Sequence, residues 1–400
     1  MVYLSHKIRL AKVTKKQEAV LRNAYGASRF CYNQAKAMSE RVYELGGKTP
    51  GKLSLRNMVV QQVKPENPWL YDLPKSVLEE AVFDYHSSLK DFFRRGHGFP
   101  KFKKRRWDEG SFTLNNSQFS VEGKRLRVAK LGWFKLTEPL RFTGKAMSAT
   151  FSQKGNHHYV SILVDTEVVQ YPQTGAVVGV DLNVHSVDTS DGLSIPTRQY
   201  FREDAEKLAR AQRVMARRVK GSTNWHKARR RVAKIHKRIA DRRLDAHHKL
   251  STRLVKENSG IFLETLHVKG MMKNRRLAKS ISDASFYQLT NQIDYKAKIH
   301  GRDVARVGRF YPSSKRCSEC GSVKAKLGLA ERIYRCEECG MVLARDHNAA
   351  KNILFEGLNI LSAGLAAEMP VEGAVRPTLT PATDDGRLDP TKQEPFIVPA

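Results

Sequence analysis

Apolar and polar positions alternate along the chain in two distinct rhythms. Val20, Leu21, Ala24 and Tyr25 recur at helical spacing behind Thr14 and Gln17, which predict a capping box. Leu78, Ala81, Val82, Tyr85, Leu89 and Phe92 fill one face of a second helix, with Ser76 and Glu79 placed as its capping box after Pro74. That helix should break at Gly96-His97-Gly98. From about Ser111 to Val164 the period shortens to two, in strands such as Phe119–Val121, Arg125–Val128 and Tyr159–Val164, which predicts a small β-barrel or sandwich.

The character changes again past Tyr171-Pro172. Val177-Val-Gly-Val-Asp-Leu182 and Ile261-Phe-Leu-Glu-Thr-Leu266 are apolar runs, each interrupted by one acid, as in strands buried on both faces. Between them, Ala228, Val232, Ile235 and Ile239 form the apolar seam of a helical hairpin turning at Gly221-Ser222. A helix from Ser285 to Ile299 and a strand from Val304 to Val307 follow. The final stretch holds Pro370, Pro377, Pro381, Pro390, Pro395 and Pro399 and reads as a disordered tail.

Composition narrows the function. The 400 residues include 71 Lys+Arg and 40 Asp+Glu, a net charge of +31, beyond what solubility asks, so the expected large partner is a polyanion, nucleic acid first. Much of the excess sits at 202–253, with 18 basic and 5 acidic residues. At 40% hydrophobic, the chain is not wholly disordered. It contains no run of eighteen apolar residues, so no membrane span is expected, and Met1–Val13 lacks the apolar core of a signal peptide. A cytoplasmic, nucleoid-associated protein is the corresponding expectation.

Four of the five cysteines, Cys317, Cys320, Cys336 and Cys339, form two Cys-x2-Cys pairs, each followed by glycine. That spacing predicts a four-thiolate structural Zn²⁺ site, while Cys31 reads as a small buried apolar residue. The acids Asp181 and Glu264 lie in apolar strands, and Asp346 opens a helix. Buried carboxylates are costly unless paired or bound to cations, and three converging ones suit a pair of Mg²⁺ ions. Blander roles remain open at this point: Asp346 as a helix cap, Asp181 in a strand-end turn, Glu264 in an ion pair. The run Phe99, Lys101, Phe102, Lys103, Lys104, Arg105, Arg106, Trp107 and the hairpin residues Arg229, Arg230, Arg231, Arg242 and Arg243 are nucleic-acid-contact candidates. Core packing and solvated charge are the alternatives.

Taken in order, Gly179-Val-Asp-Leu182, Glu264-Thr-Leu-His-Val-Lys-Gly270, the two Cys-x2-Cys pairs and Arg345-Asp-His-Asn-Ala-Ala-Lys-Asn-Ile353 resemble the TnpB (OrfB) family of insertion sequences. The likeness continues upstream through Gly26–Phe30, Pro68-Trp-Leu70, Phe92-Phe93 and Phe99–Phe102, and through Gly221–Asn224. It implies an RNA-guided DNA endonuclease related to type V CRISPR effectors, with guide RNA and target double-stranded DNA as partners. The implied fold is α+β and multidomain. A β-barrel domain would take 1–15 and 111–172, and a helical recognition domain 16–110. An RNase H-like (RuvC) α/β nuclease domain would span 173–360, with the basic hairpin at 202–253 and the zinc ribbon inserted at 312–343, ahead of a tail at 361–400. Asp181, Glu264 and Asp346 become the catalytic acids by this likeness, and the four cysteines the zinc ligands. Asn183, Thr265 and His347 depart from the family pattern, and Asn183 is expected to tolerate a left-handed turn. A nuclease-inactive RNA-guided DNA-binding regulator, a DNA strand-transfer transposase and a generic zinc-ribbon binder are the competing readings. The oligomeric state is not legible.

Overall fold

A computed structural model describes residues 2–104, 109–155, 157–168, 170–328 and 330–368. Arg105, Arg106 and Trp107, and the proline-rich stretch from 369 onward, lie outside the described residues.

The N-terminal half runs β1 (Val2–Arg9), α1 (Lys15–Glu44), α2 (Lys52–Met58), α3 (Lys75–Arg95), β2 (Glu109–Asn115), β3 (Phe119–Glu122), β4 (Arg125–Val128), β5 (Gly132–Lys135), β6 (Lys145–Lys154) and β7 (His157–Thr166). An antiparallel sheet of order β1-β7-β6-β2 meets a three-stranded meander, β3-β4-β5, through a bridge between Leu10 and Leu136. Leu21 and Tyr25 of α1, Tyr85 of α3, Phe112, Phe134 and Phe151 share one buried cluster. The expected boundaries at 15/16 and 110/111 fall within α1 and β2, and one buried cluster draws on both sides of each.

The Thr14–Gln17 capping box forms in both directions. The Ser76–Glu79 box does not. α3 begins at Lys75 with Pro74 as its N-cap, which places Ser76 inside the first turn, and Glu79 lies 3.4 Å from Arg56 instead. Gly96, at φ 64°, closes the helix in the left-handed conformation where glycine carries no steric penalty.

In the C-terminal half, β8 (Val177–Leu182), β9 (Ser186–Thr189) and β10 (Ser194–Pro196) lead into α4 (Tyr200–Glu203) and the hairpin of α5 (Ala205–Ala216) and α6 (Thr223–Glu257). Next come β11 (Gly260–Glu264), α7 (Val268–Met271), α8 (Ala278–Ala284), α9 (Phe286–Ile299), β12 (Asp303–Val307), β13 (Ile333–Arg335), β14 (Val342–Ala344) and α10 (Arg345–Glu368). The sheet order is β10-β9-β8-β11-β12, antiparallel from β8 outward through β9 and β10, and parallel from β8 through β11 to β12. That is the order and sense of an RNase H-like sheet. α10 extends eight residues beyond 360, where the tail was expected to begin.

Both faces of this sheet are covered, and strand alternation sorts its side chains between them. Val178, Val180, Leu182, Val187, Ile261 and Leu263 pack with Leu254 of α6 and with α8 and α9. Phe262 points the other way, against Ile353 of α10. α10 lies so close to β8 that a Cβ on Gly179 would sit 2.2 Å from the Ala350 carbonyl oxygen. At Gly357 a Cβ would meet the Phe262 ring at 2.4 Å. Among the described residues, no helix is long and apolar enough to cross a membrane.

Two outcomes test this packing. Gly179→Ala has no room without displacing α10 and should cost about 1–3 kcal/mol, read from urea unfolding. Burial in the α6 packing, with the Arg243 charge adding to it, pushes His247 from 6.5 down to about 4, against the opposing pull of a hydrogen bond with Gln288. The unfolded chain then takes up its proton first, so this contribution to stability is complete above pH 6.5 and is lost as pH falls toward 4. His247→Leu should therefore lose less of its pH 7 melting temperature at pH 5 than the parent protein does.

Candidate active site and metal centre

Period-two alternation decides where the acids point. Asp181 lies two residues beyond Gly179 on β8, and Glu264 two beyond Phe262 on β11, so both take the face covered by α10. The parallel register pairs Leu263 with Val180, and one step further brings Glu264 beside Asp181. Asp346 sits in the first turn of α10. The strands and the helix thus bring the three acids to one end of the sheet.

The electrostatics of the acids follow from this placement. Burial holds the Asp181 carboxyl well above the usual carboxylate range, and the neighbouring Glu264 charge adds to this. A hydrogen bond from Asn183 opposes the shift, while Asp346 and Asp188 add smaller contributions upward. Glu264 is raised by burial too, opposed by hydrogen bonding with Asp181 and with the Leu182 backbone. Among the described residues neither Asp181 nor Glu264 forms an ion pair, whereas Arg345 Nε lies 3.8 Å from Asp346 Oδ1. Asp181 is inside its strand, Asp346 is within the helix, one residue past its start, and among the described residues Glu264 has no basic partner. The three oxygens do not form a tight ligand cage, since among the described residues only the four cysteines place all their ligand atoms within 4.8 Å of one another. Buried, mutually repelling carboxylates are a donor set that suits hard divalent cations.

Sequence reasoning passed over Asp188. It is buried on β9 directly opposite Asp181. The signal was available, because a hairpin closing between Asn183 and Ser186 puts Asp181, Asn183, Ser186 and Asp188 on one face. The turn at Asn183 survives, as expected, and does so without the left-handed conformation. The Asn183 backbone N–H donates to the Ser186 carbonyl and its side chain turns to the acids. The other two departures are accommodated. Thr265 donates its N–H to the Val307 carbonyl, and His347 Nε2 lies 3.1 Å from the Ser190 carbonyl oxygen.

The cysteines converge from two knuckles. Gly321 and Gly340, at φ 79° and 74°, make the left-handed turns that follow each pair. The Sγ separations are 3.7 Å for Cys317–Cys339 and 3.5 Å for Cys320–Cys336. A tetrahedral metal with sulfur bonds of ~2.3 Å has edges of about 3.8 Å, so these thiols fit one ion. The ribbon is tied to the third acid. β14 passes directly into α10, and the buried Asn348 and Asn352 both donate to the Arg316 carbonyl just ahead of the first knuckle. Asn348 also accepts from Ser318 N–H, and Asn352 donates to the Ser313 carbonyl.

The basic candidates divide. Arg242 is occupied by Glu203 at 2.6 Å and Asp204 at 3.6 Å, and lies over the Tyr200 ring; Arg243 faces Asp283 at 3.7 Å. These two hold the hairpin to its neighbours, a role the sequence pattern did not distinguish from phosphate contact. Lys103 lies 3.8 Å over the Tyr32 ring, with its backbone bonded to Asn33, and Phe99 packs against Phe92 and Lys36. Arg229 stacks on Trp225. Lys101, Lys104, Arg230 and Arg231 are exposed.

Comparison with known proteins follows the same division. Residues 161–275 match the OrfB_IS605 family, described as "Probable transposase", and residues 286–353 match the Cas12f1-like TNB domain. Residues 1–48 match a helix-turn-helix domain of the OrfB_IS605 group, although here they fold as one strand and one long helix. A Streptomyces pristinaespiralis protein named "Putative RNA-guided DNA endonuclease" is 34% identical over 388 residues, covering 96% of this chain and 94% of that one. An Escherichia coli (strain K12) protein of the same name, with the suffix InsQ, is 32% identical over 366 residues, 87% and 91% of the two chains. The CRISPR-associated endodeoxyribonuclease Cas12f1 of Sulfoacidibacillus thermotolerans is 27% identical over 230 residues, 52% of each.

Elemental analysis of the purified protein should find one thiolate-bound metal per chain. Cys317→Ser should lose it and, because ribbon and α10 are bonded together, lower the melting temperature as well.

Proposed function

Because the chain belongs to the OrfB (TnpB) family of insertion-sequence proteins, we propose that it is an RNA-guided DNA endonuclease. In this reading it binds a transposon-encoded guide RNA and cuts target duplex beside a short adjacent motif. The observation that carries the catalytic part is the convergence of Asp181, Glu264 and Asp346 on the α10 face of the sheet.

The three acids would hold Mg²⁺, which when bound supplies an activated water and stabilises the leaving oxygen of a phosphodiester. The chain's own part is placement. β8 and β11 fix two carboxylates side by side, and α10, packed on that same face, brings the third. Zn²⁺ is the metal the four thiolates suit best, and with its shell closed by sulfur it serves to brace the start of α10. The net charge of +31 supports binding to two polyanions at once, with affinity falling steeply as salt rises. Pairing to the guide supplies the sequence specificity, while the protein handles backbone and duplex shape. A cytoplasmic location beside the nucleoid follows from such partners.

The family description as a transposase favours one second reading, strand transfer by the protein itself. Products joined from donor DNA without any RNA would support it. For the main reading, the protein is purified with the RNA expressed from its own locus, the RNA is sequenced, and matched target DNA is challenged with Mg²⁺. Asp181→Ala should lose cleavage down to background while retaining guide and target binding. Cutting at the parental rate by that variant would remove Asp181 from the mechanism.

A further inference from the structure

The β8–β9 hairpin carries a second layer of chemistry behind the acids. Asp181 pairs with Asp188 and Leu182 with Val187, and the chain reverses between Asn183 and Ser186. Leu182 and Val187 go to the core, so Asp181, Asn183, Ser186 and Asp188 share the opposite face. On that face the Asn183 amide nitrogen donates to Asp181 Oδ2 at 2.8 Å and to Asp188 Oδ2 at 3.2 Å. The Ser186 hydroxyl donates to the same Asp188 oxygen at 2.5 Å. Asp188 is only 7% exposed and, among the described residues, forms no ion pair.

We propose that Asn183 and Asp188 act as positioning residues for Asp181, and through it set how tightly the acid cluster takes up a divalent cation. The argument is one of degrees of freedom. An asparagine amide turns readily about its last torsion, and one hydrogen bond to Asp181 would leave it free to swing. Asp188 receives the other N–H, and Ser186 holds Asp188 in turn, so the amide plane is set from behind. Asp181 then has one oxygen already committed to a donor, and its orientation is defined before any cation arrives. Partners that orient ligating carboxylates in this way govern metal affinity. The inference rests on reading Asp181, Glu264 and Asp346 as the cation-binding acids.

The test uses full-length protein with its co-purified RNA. Mn²⁺ binding is measured by calorimetry without target DNA, and single-turnover cleavage is titrated with Mg²⁺. Asn183→Ala and Asp188→Ala should each weaken Mn²⁺ binding about tenfold or more. The Mg²⁺ half-saturation point should move in parallel, by more than the rate at saturating metal does. Asp188→Asn keeps an oxygen that accepts from Asn183 and Ser186, and should recover most of the affinity. If either alanine variant loses its fold, Asn183→Ser, whose hydroxyl is too short to span both acids, takes its place in the same measurement. Mn²⁺ binding lost in Asp181→Ala but intact in the Asn183 and Asp188 variants overturns the relay alone. An Asp188→Asn variant as weak as Asp188→Ala overturns it too, because charge and not hydrogen bonding would then be responsible. Undiminished binding in Asp181→Ala overturns the acid-cluster reading itself, and the relay with it.

Discussion

The close approach of α10 to β8 governs the nuclease half of this protein. Gly179 presents no side chain, so the helix backbone at Ala350 and Leu354 comes down onto the strand. Gly357 does the same over the Phe262 ring. A helix held at ordinary side-chain distance would carry its first turn, and Asp346 with it, away from β8 and β11. The apolar contacts of Phe262 and Ile353 then hold what the glycines permit.

The acids pay for this proximity. Asp181 and Glu264 are withdrawn from water next to one another, which makes ionisation of both unfavourable. Hydrogen bonds from Asn183 and from the Leu182 backbone offset part of that cost. The remainder is what a bound cation would relieve, so the same arrangement that strains the protein alone favours metal. Elsewhere the chain carries the opposite sign, at the exposed Lys101, Lys104, Arg230 and Arg231. Long-range attraction draws a polyanion to such charge.

The thiolate ribbon and the acid cluster are mechanically one unit. β14 continues into α10 without a linker, and two buried asparagines a helical turn apart fasten the helix to the backbone ahead of the first knuckle. A closed four-sulfur shell performs no chemistry on water. Its contribution here is stiffness at the point where Asp346 leaves the ribbon. Asn348 and Asn352 belong to the same short motif as Asp346, which explains why polar residues occupy the buried face of an otherwise apolar helix.

Much of this was legible in one dimension, because it depends on local rules. Strand runs interrupted by single acids, paired cysteines with trailing glycines, the Thr14–Gln17 cap and the basic hairpin all follow from periodicity and spacing, and each appears close to its expected place. The Ser76 cap failed because the helix begins at Lys75, two residues earlier than the box requires, which leaves Ser76 inside the first turn. Other features depend on which strands become neighbours and how near a helix can come. That Asp188 stands opposite Asp181, that Asn183 spans the two, and that Arg242 and Arg243 spend their charge on Glu203, Asp204 and Asp283 are all products of register and packing. A residue's type and spacing limit what it can do; only the neighbours that folding brings from tens of residues away select among those possibilities.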